Sequence, residues 1–137
     1  MAEASVTTGK GYSVAHVDSL GEGYGFRKVR QPMGLTAFGM NAVCMPPGWE
    51  SGVHWHERQE EVYFVHRGRI EIEVGDGSKH VLEPGGIAWV DAATPRRLRN
   101  IGDGDALYVA VGGKDGYVGR DGRAPEGENA RARPIER

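Results

Sequence analysis

The 137-residue chain has one cysteine, Cys44, so no disulfide can form within it. A lone thiol suits a reducing compartment, and a cytoplasmic location is the expectation. An excess of charge of one sign is also missing, because 17 Lys and Arg face 19 Asp and Glu for a formal net charge of −2. This balance leaves no basic footprint for nucleic acid and no polybasic membrane patch, and neither partner is expected. No apolar run approaches the roughly 18 residues of a membrane span. The opening Met-Ala-Glu-Ala-Ser-Val-Thr-Thr-Gly-Lys lacks the apolar core of a secretion signal, so none is expected. Helical periodicity of convincing length and internal repeats are absent as well.

Glycine, in contrast, is abundant: 22 of 137 residues, against a usual share of about 7%. The glycines fall in Gly-Asp-Gly, Gly-Gly and Pro-Gly groups between short apolar runs, which is the punctuation of many strands and tight turns. Strands are expected at Tyr12–Val17, Phe26–Arg30, Leu35–Met45, Val53–His56, Glu61–Arg67, Arg69–Val74, Lys79–Glu83, Ile87–Val90, Arg96–Asn100 and Ala106–Val111. In Arg69–Val74 the alternation sends Ile70, Ile72 and Val74 inward and Arg69, Glu71 and Glu73 outward. Short strands at such spacing predict an all-β antiparallel sandwich or barrel. Three parts are expected: an N-terminal arm with edge strands (1–34), the barrel core (35–112) and a polar C-terminal tail (113–137). Residues 1–11 would be loosely held, and the tail would dock at most around Tyr117 and Val118.

The chemistry gathers in Gly48 to Gly68. His54 and His56 stand two residues apart, and a strand of period two points both imidazoles to one face. Glu60 or Glu61, returning on the next strand, can meet them there. Two neutral imidazoles and a carboxylate form the ligand set of an open divalent-metal site. Tyr63 and Val65 share the parity of Glu61 and should point inward, so the Tyr63 hydroxyl is a candidate for the pocket. Its alternative is a half-buried ring whose hydroxyl reaches water. His66 should face away, His80 lies beside a hairpin turn, and a small buried thiol such as Cys44 is more often core filling.

The spacing Gly48, His54-x-His56, Glu61, Gly68 resembles the first motif of the cupin family: Gly, five residues, His-x-His, three or four residues, Glu, six residues, Gly. The six residues before Gly68 select Glu61 over Glu60. Pro84-Gly85-Gly86 and Asn100 resemble the opening and close of the family's second motif, but Arg96 stands where the family places its third metal-binding histidine. The resemblance spans about residues 35–112 and implies a cupin-like double-stranded β-helix, or jelly-roll barrel. It implies a divalent metal (Fe, Mn, Zn or Ni) held by His54, His56 and Glu61. A guanidinium stays cationic and is no ordinary ligand. Arg96 is therefore expected either to clamp an anionic small-molecule ligand or to replace the metal through an ion pair with Glu61.

Three functions stay open. The first is an oxygenase acting on a small anionic organic substrate, with Arg96 orienting it and Tyr63 assisting. The second is a non-catalytic, sensory binder of a small molecule. The third is an isomerase or epimerase with His54 or His56 as base. An exposed sheet edge, Trp55 on an outer face and the polar tail suggest a homodimer.

Overall fold

The computed structural model describes residues 6–135. Its strands, in chain order, are β1 (Thr7–Gly9), β2 (Tyr12–Val14), β3 (Gly25–Lys28), β4 (Gly39–Met45), β5 (Trp49–Glu50), β6 (Trp55–His56) and β7 (Glu60–Arg67). They continue with β8 (Ile70–Val74), β9 (Ser78–Leu82), β10 (Ile87–Val90), β11 (Arg96–Asn100), β12 (Ala106–Gly113), β13 (Gly122–Arg123) and β14 (Arg133–Pro134). One 3-10 turn (Val17–Ser19) and one helical turn, α1 (Arg30–Met33), precede β4. No described helix is long and apolar enough to cross a membrane.

Two five-stranded sheets, ordered β10-β7-β12-β4-β3 and β14-β5-β11-β8-β9, form the jelly roll. Their facing sides share one core. Val43, Met45, Tyr63, Val65 and Tyr108 come from the first sheet, and Ile70, Ile72 and Leu98 from the second. The expected alternation holds in β8, where Ile70 and Ile72 are buried and Glu71 and Glu73 face the arginines of β11 on the outside. At the ends of the histidine motif the chain turns with positive φ, 79° at Gly48 and 85° at Gly68, where a side chain would be strained.

The first sheet is also covered on its outer side. Ala42, Cys44 and Leu107 pack under Val29, with Val17, Leu20 and Met33 against them. Cys44 therefore belongs to this outer layer and does not reach the barrel interior. Residues 1–11 were expected to be loosely held. Those among them from Thr7 to Gly9 pair with Tyr12–Val14 instead, and the Ser13 hydroxyl donates to the Met33 carbonyl at 2.8 Å. Residues 1–5 lie outside the described residues.

The C-terminal stretch departs further from expectation. Gly122 and Arg123 pair with His56 and Trp55, and Arg133 and Pro134 pair with Glu50 and Trp49. The Asn129 carbonyl lies so close to Gly52 that a Cβ there would collide with it. Val118 is buried and Ala132 packs on the core, but backbone pairing and polar contacts hold most of the stretch, which is why it lacks apolar periodicity.

Candidate metal centre

Strand pairing brings the three candidate ligands together. His54 sits in an isolated bridge to Arg96, His56 ends β6, and Glu61 is the second residue of β7. One donor atom from each lies within 4.8 Å of the others, and among the described residues this is the group able to hold a metal ion. The imidazole rings stand 5.5 Å apart at 84°. Glu60 faces outward and accepts from the Trp89 indole at 2.7 Å, while Glu61, the residue the spacing to Gly68 selects, stands with the histidines.

Hydrogen bonds on the far side of each ring settle the tautomers. His54 Nδ1 lies 3.1 Å from the Gly52 carbonyl, which can only accept, so Nδ1 carries the proton and Nε2 is bare. His56 Nδ1 lies 2.9 Å from Asp121 Oδ1. Burial pushes the Asp121 carboxyl upward, but hydrogen bonds from the Gln59 side chain and from the backbone of Gln59 and Arg58 outweigh it. They hold Asp121 far below the usual carboxylate range. An ionised carboxylate is acceptor-only, so His56 Nδ1 carries a proton and Nε2 is the nitrogen turned toward Glu61.

Glu61 Oε1 receives the Tyr63 hydroxyl at 2.6 Å and lies 2.9 Å from His56 Nε2 and 3.9 Å from His54 Nε2. Despite that 2.9 Å approach, the buried His56 Nε2 has no partner with hydrogen-bond geometry among the described residues. Lone pairs facing at this distance repel unless a cation lies between them. A second proton on His56 is one such cation. Burial alone would lower the His56 pKa, but Glu61 and then Asp121 raise it above its ordinary value. A divalent metal is the other. Burial lowers the pKa of His54. For Glu61, burial acts upward but is outweighed by His56 and Tyr63, so its carboxyl titrates below the ordinary range. Once the second proton of His56 is displaced, two imidazole nitrogens and an ionised carboxylate fit a divalent ion.

Arg96 points inward and is 1% exposed. Its Nη2 donates to the Asp91 carbonyl at 2.6 Å, while Nε and Nη1 find no partner among the described residues. No ion pair joins it to Glu61 among those residues, so the expectation that Arg96 replaces the metal by pairing with Glu61 is not met. The Asp91 carbonyl holds the guanidinium instead. Its charge adds to the lowering of the His54 and Glu61 pKa values and opposes the rise at His56.

A cavity of about 490 Å³ opens beside the ligands. His54, His56, Glu61 and Tyr63 line its barrel side, and Arg120 and Arg123 lie on the side given by the C-terminal stretch. Arg96 is not on its wall. Tyr63 is 2% exposed, and burial followed by Glu61 raises its pKa well above normal, so it stays a protonated donor. Gly112 must be small, since a Cβ there would strike the Gln59 carboxamide next to Glu61. Sequence reasoning missed Asp121, Gln59 and the Gly52 carbonyl. Asp121 lies 65 residues from His56 in a stretch with no pattern to mark it.

The cupin domain family matches residues 41–112. The chain is a cupin. It is 31% identical over 77 residues to polyketide synthase CurC of Streptomyces cyaneus, covering 56% of this chain and 49% of that protein. It is 31% identical over 68 residues to an oxalate-binding protein of Thermotoga maritima, covering 49% and 54%. The chain thus spans about half the length of these relatives. Among solved structures, a cupin-superfamily sugar phosphate isomerase of Silicibacter pomeroyi superposes with a TM-score of 0.60 at 28% identity, covering 65% of this chain and 58% of that one.

Proposed function

We propose that this cupin is a divalent-metal protein whose site takes a small organic anion, with oxygenase chemistry as the leading activity. The observation that carries the proposal is the convergence of the two imidazole Nε2 atoms and the Glu61 carboxylate beside an open cavity. Three protein ligands leave coordination positions for a substrate and a co-substrate, the arrangement that suits non-haem Fe(II). The rest of the chemistry falls to the chain. Tyr63, protonated and hydrogen-bonded to Glu61, holds a proton at the cavity wall. Arg96, buried and off the cavity wall, supplies positive charge near the site that favours an anion there without touching it. The likeness to an oxalate-binding protein supports an anionic ligand, although the cavity has room for more than a two-carbon acid.

Protein loaded anaerobically with Fe(II) should consume oxygen with a member of a panel of carboxylates, enols and diketones. No uptake with any of them defeats the oxygenase proposal. A second activity, metal-dependent isomerisation or epimerisation, is favoured by the buried Tyr63–Glu61 hydrogen bond, a place to hold a proton without oxygen, and by the likeness to a sugar phosphate isomerase. Turnover that persists under nitrogen selects it. Tight anion binding without turnover selects the sensory binder.

A homodimer is part of the same proposal. The uncovered half of the first sheet's outer face carries Ile87, Trp89 and Phe64, exposed by 63%, 60% and 39%. A contiguous apolar row of this kind suits a second copy of the chain. Sedimentation of wild type and of Trp89→Glu tests it, and a monomeric wild type rejects it.

A further inference from the structure

We propose that Asp121 is the positioning residue of the metal centre, fixing both the tautomer of His56 and the loop that sets the distance from His56 to Glu61. This inference rests on the metal reading of the site. A single carboxylate, 7% exposed, is shared by two structural tasks. Oδ2 accepts the backbone N–H groups of Arg58 and Gln59, each at 2.9 Å. Oδ1 accepts the Gln59 side-chain amide at 2.5 Å and the His56 Nδ1–H at 2.9 Å. The Asp121 backbone joins in, its carbonyl accepting the Glu57 N–H at 3.0 Å. Gln59 also donates to the Val118 carbonyl at 3.2 Å, which ties the loop to the chain just before Asp121.

Glu61 is held by Tyr63 and its strand partners, and the far side of the His56 ring by Asp121. His56 Nε2 is aimed at Glu61 only while Nδ1–H is held from behind. The three residues Glu57, Arg58 and Gln59, which separate His56 from Glu60 and Glu61, are held by Asp121 and not by a strand partner of their own. Without the carboxylate, the ring is free to change tautomer and the loop to change its span. Both changes move ligand atoms rather than the core. The C-terminal stretch is thereby part of the metal centre.

Asp121→Ala should lower affinity for Zn(II) and Co(II), measured by competition with a chromogenic chelator, by roughly 10–100-fold. The visible spectrum of the bound Co(II) should also change, which a general loss of stability would not cause. Asp121→Asn should recover part of the affinity, because one amide oxygen can serve His56 or the loop but its NH₂ cannot accept from the other. Hydrogen exchange on wild-type protein gives a readout that survives a variant's failure to fold. Adding Zn(II) should slow exchange at Glu57, Arg58 and Gln59 and leave the β8–β9 hairpin unchanged. Wild type that binds metal while Asp121→Ala binds it equally, with the same Co(II) spectrum, overturns the proposal. So does exchange at those three amides that is indifferent to Zn(II). Wild type that binds no metal overturns instead the reading on which the proposal rests.

Discussion

The segments flanking the barrel are attached by opposite means. On the N-terminal side, Val17, Leu20, Val29 and Met33 cover Ala42, Cys44 and Leu107 on the outside of the first sheet, an apolar contact that removes surface from water. On the C-terminal side, Asp121 enters the region of the ligands and is held by directional hydrogen bonds, with Gly122 and Arg123 paired to β6. Apolar cover is non-directional and can be trimmed at the expense of stability alone. A carboxylate that accepts from the His56 ring and from the loop before Glu61 cannot move without moving both. The account therefore assigns stability to one flank and site geometry to the other.

The sharpest contrast should come from the ligands themselves. Glu61→Ala should lower divalent-metal affinity by more than about 100-fold, beyond the usual effect of an outer partner, while the folded protein keeps its N-terminal cover. A loss below about tenfold would place the metal elsewhere.

Next in size is a cut on the other flank. Leu107 is fully buried beneath the arm, and Leu107→Ala should cost about 2–5 kcal/mol in urea unfolding. Metal affinity of the folded fraction should stay within about twofold, as expected for well-separated sites. If affinity falls together with stability, the two flanks are not independent.

Acid should divide them again. His56 titrates above its ordinary value in the metal-free protein, so its share of stability is fully present below the ordinary pKa of 6.5 and is lost as pH rises through the raised one. Metal binding has the opposite sign, because the ion must displace that proton. Affinity should therefore fall by up to about tenfold per pH unit on the acid side of the His56 pKa. Affinity independent of pH between 5 and 8, tested by the same chelator competition, would remove His56 from the ligand set.

The smallest effect concerns Asp18, which pins the N-terminal arm to the barrel. Hydrogen bonds from Arg67 and then Arg27 lower its pKa from 3.8 to about 2. A depressed carboxyl contributes stability above 3.8 that is lost as pH falls toward 2. The side chain is 60% exposed, so Asp18→Asn should cost less than about 1 kcal/mol at neutral pH. That difference from wild type should vanish in acid and leave metal affinity alone. A larger cost would mean that ionic pinning, not apolar cover, holds this flank.

Much of this was legible in the sequence because it is local and periodic. Two-residue spacing carried His54 and His56 to one face, parity carried Tyr63 and Val65 inward, and Gly48 and Gly68 marked turns that need positive φ. Leu98 and Asn100 share the inward face of Arg96 as alternation requires, and both are buried. What alternation cannot give is the partner across the barrel. Arg96 was expected to meet Glu61 or an anion, and the Asp91 carbonyl takes its Nη2 instead. The C-terminal stretch was harder still. Its polar, Gly-rich composition is what a solvated tail would have, and what its residues share with the barrel is hydrogen bonding across dozens of residues, which leaves no period in the chain.

The central claim is that His54, His56 and Glu61 hold a divalent metal in spite of Arg96. Elemental analysis of purified protein, repeated after dialysis with Fe(II), Mn(II), Zn(II) or Ni(II), tests it most directly. The account predicts close to one ion per chain, lost in Glu61→Ala. Wild type that carries none and takes up none would contradict it.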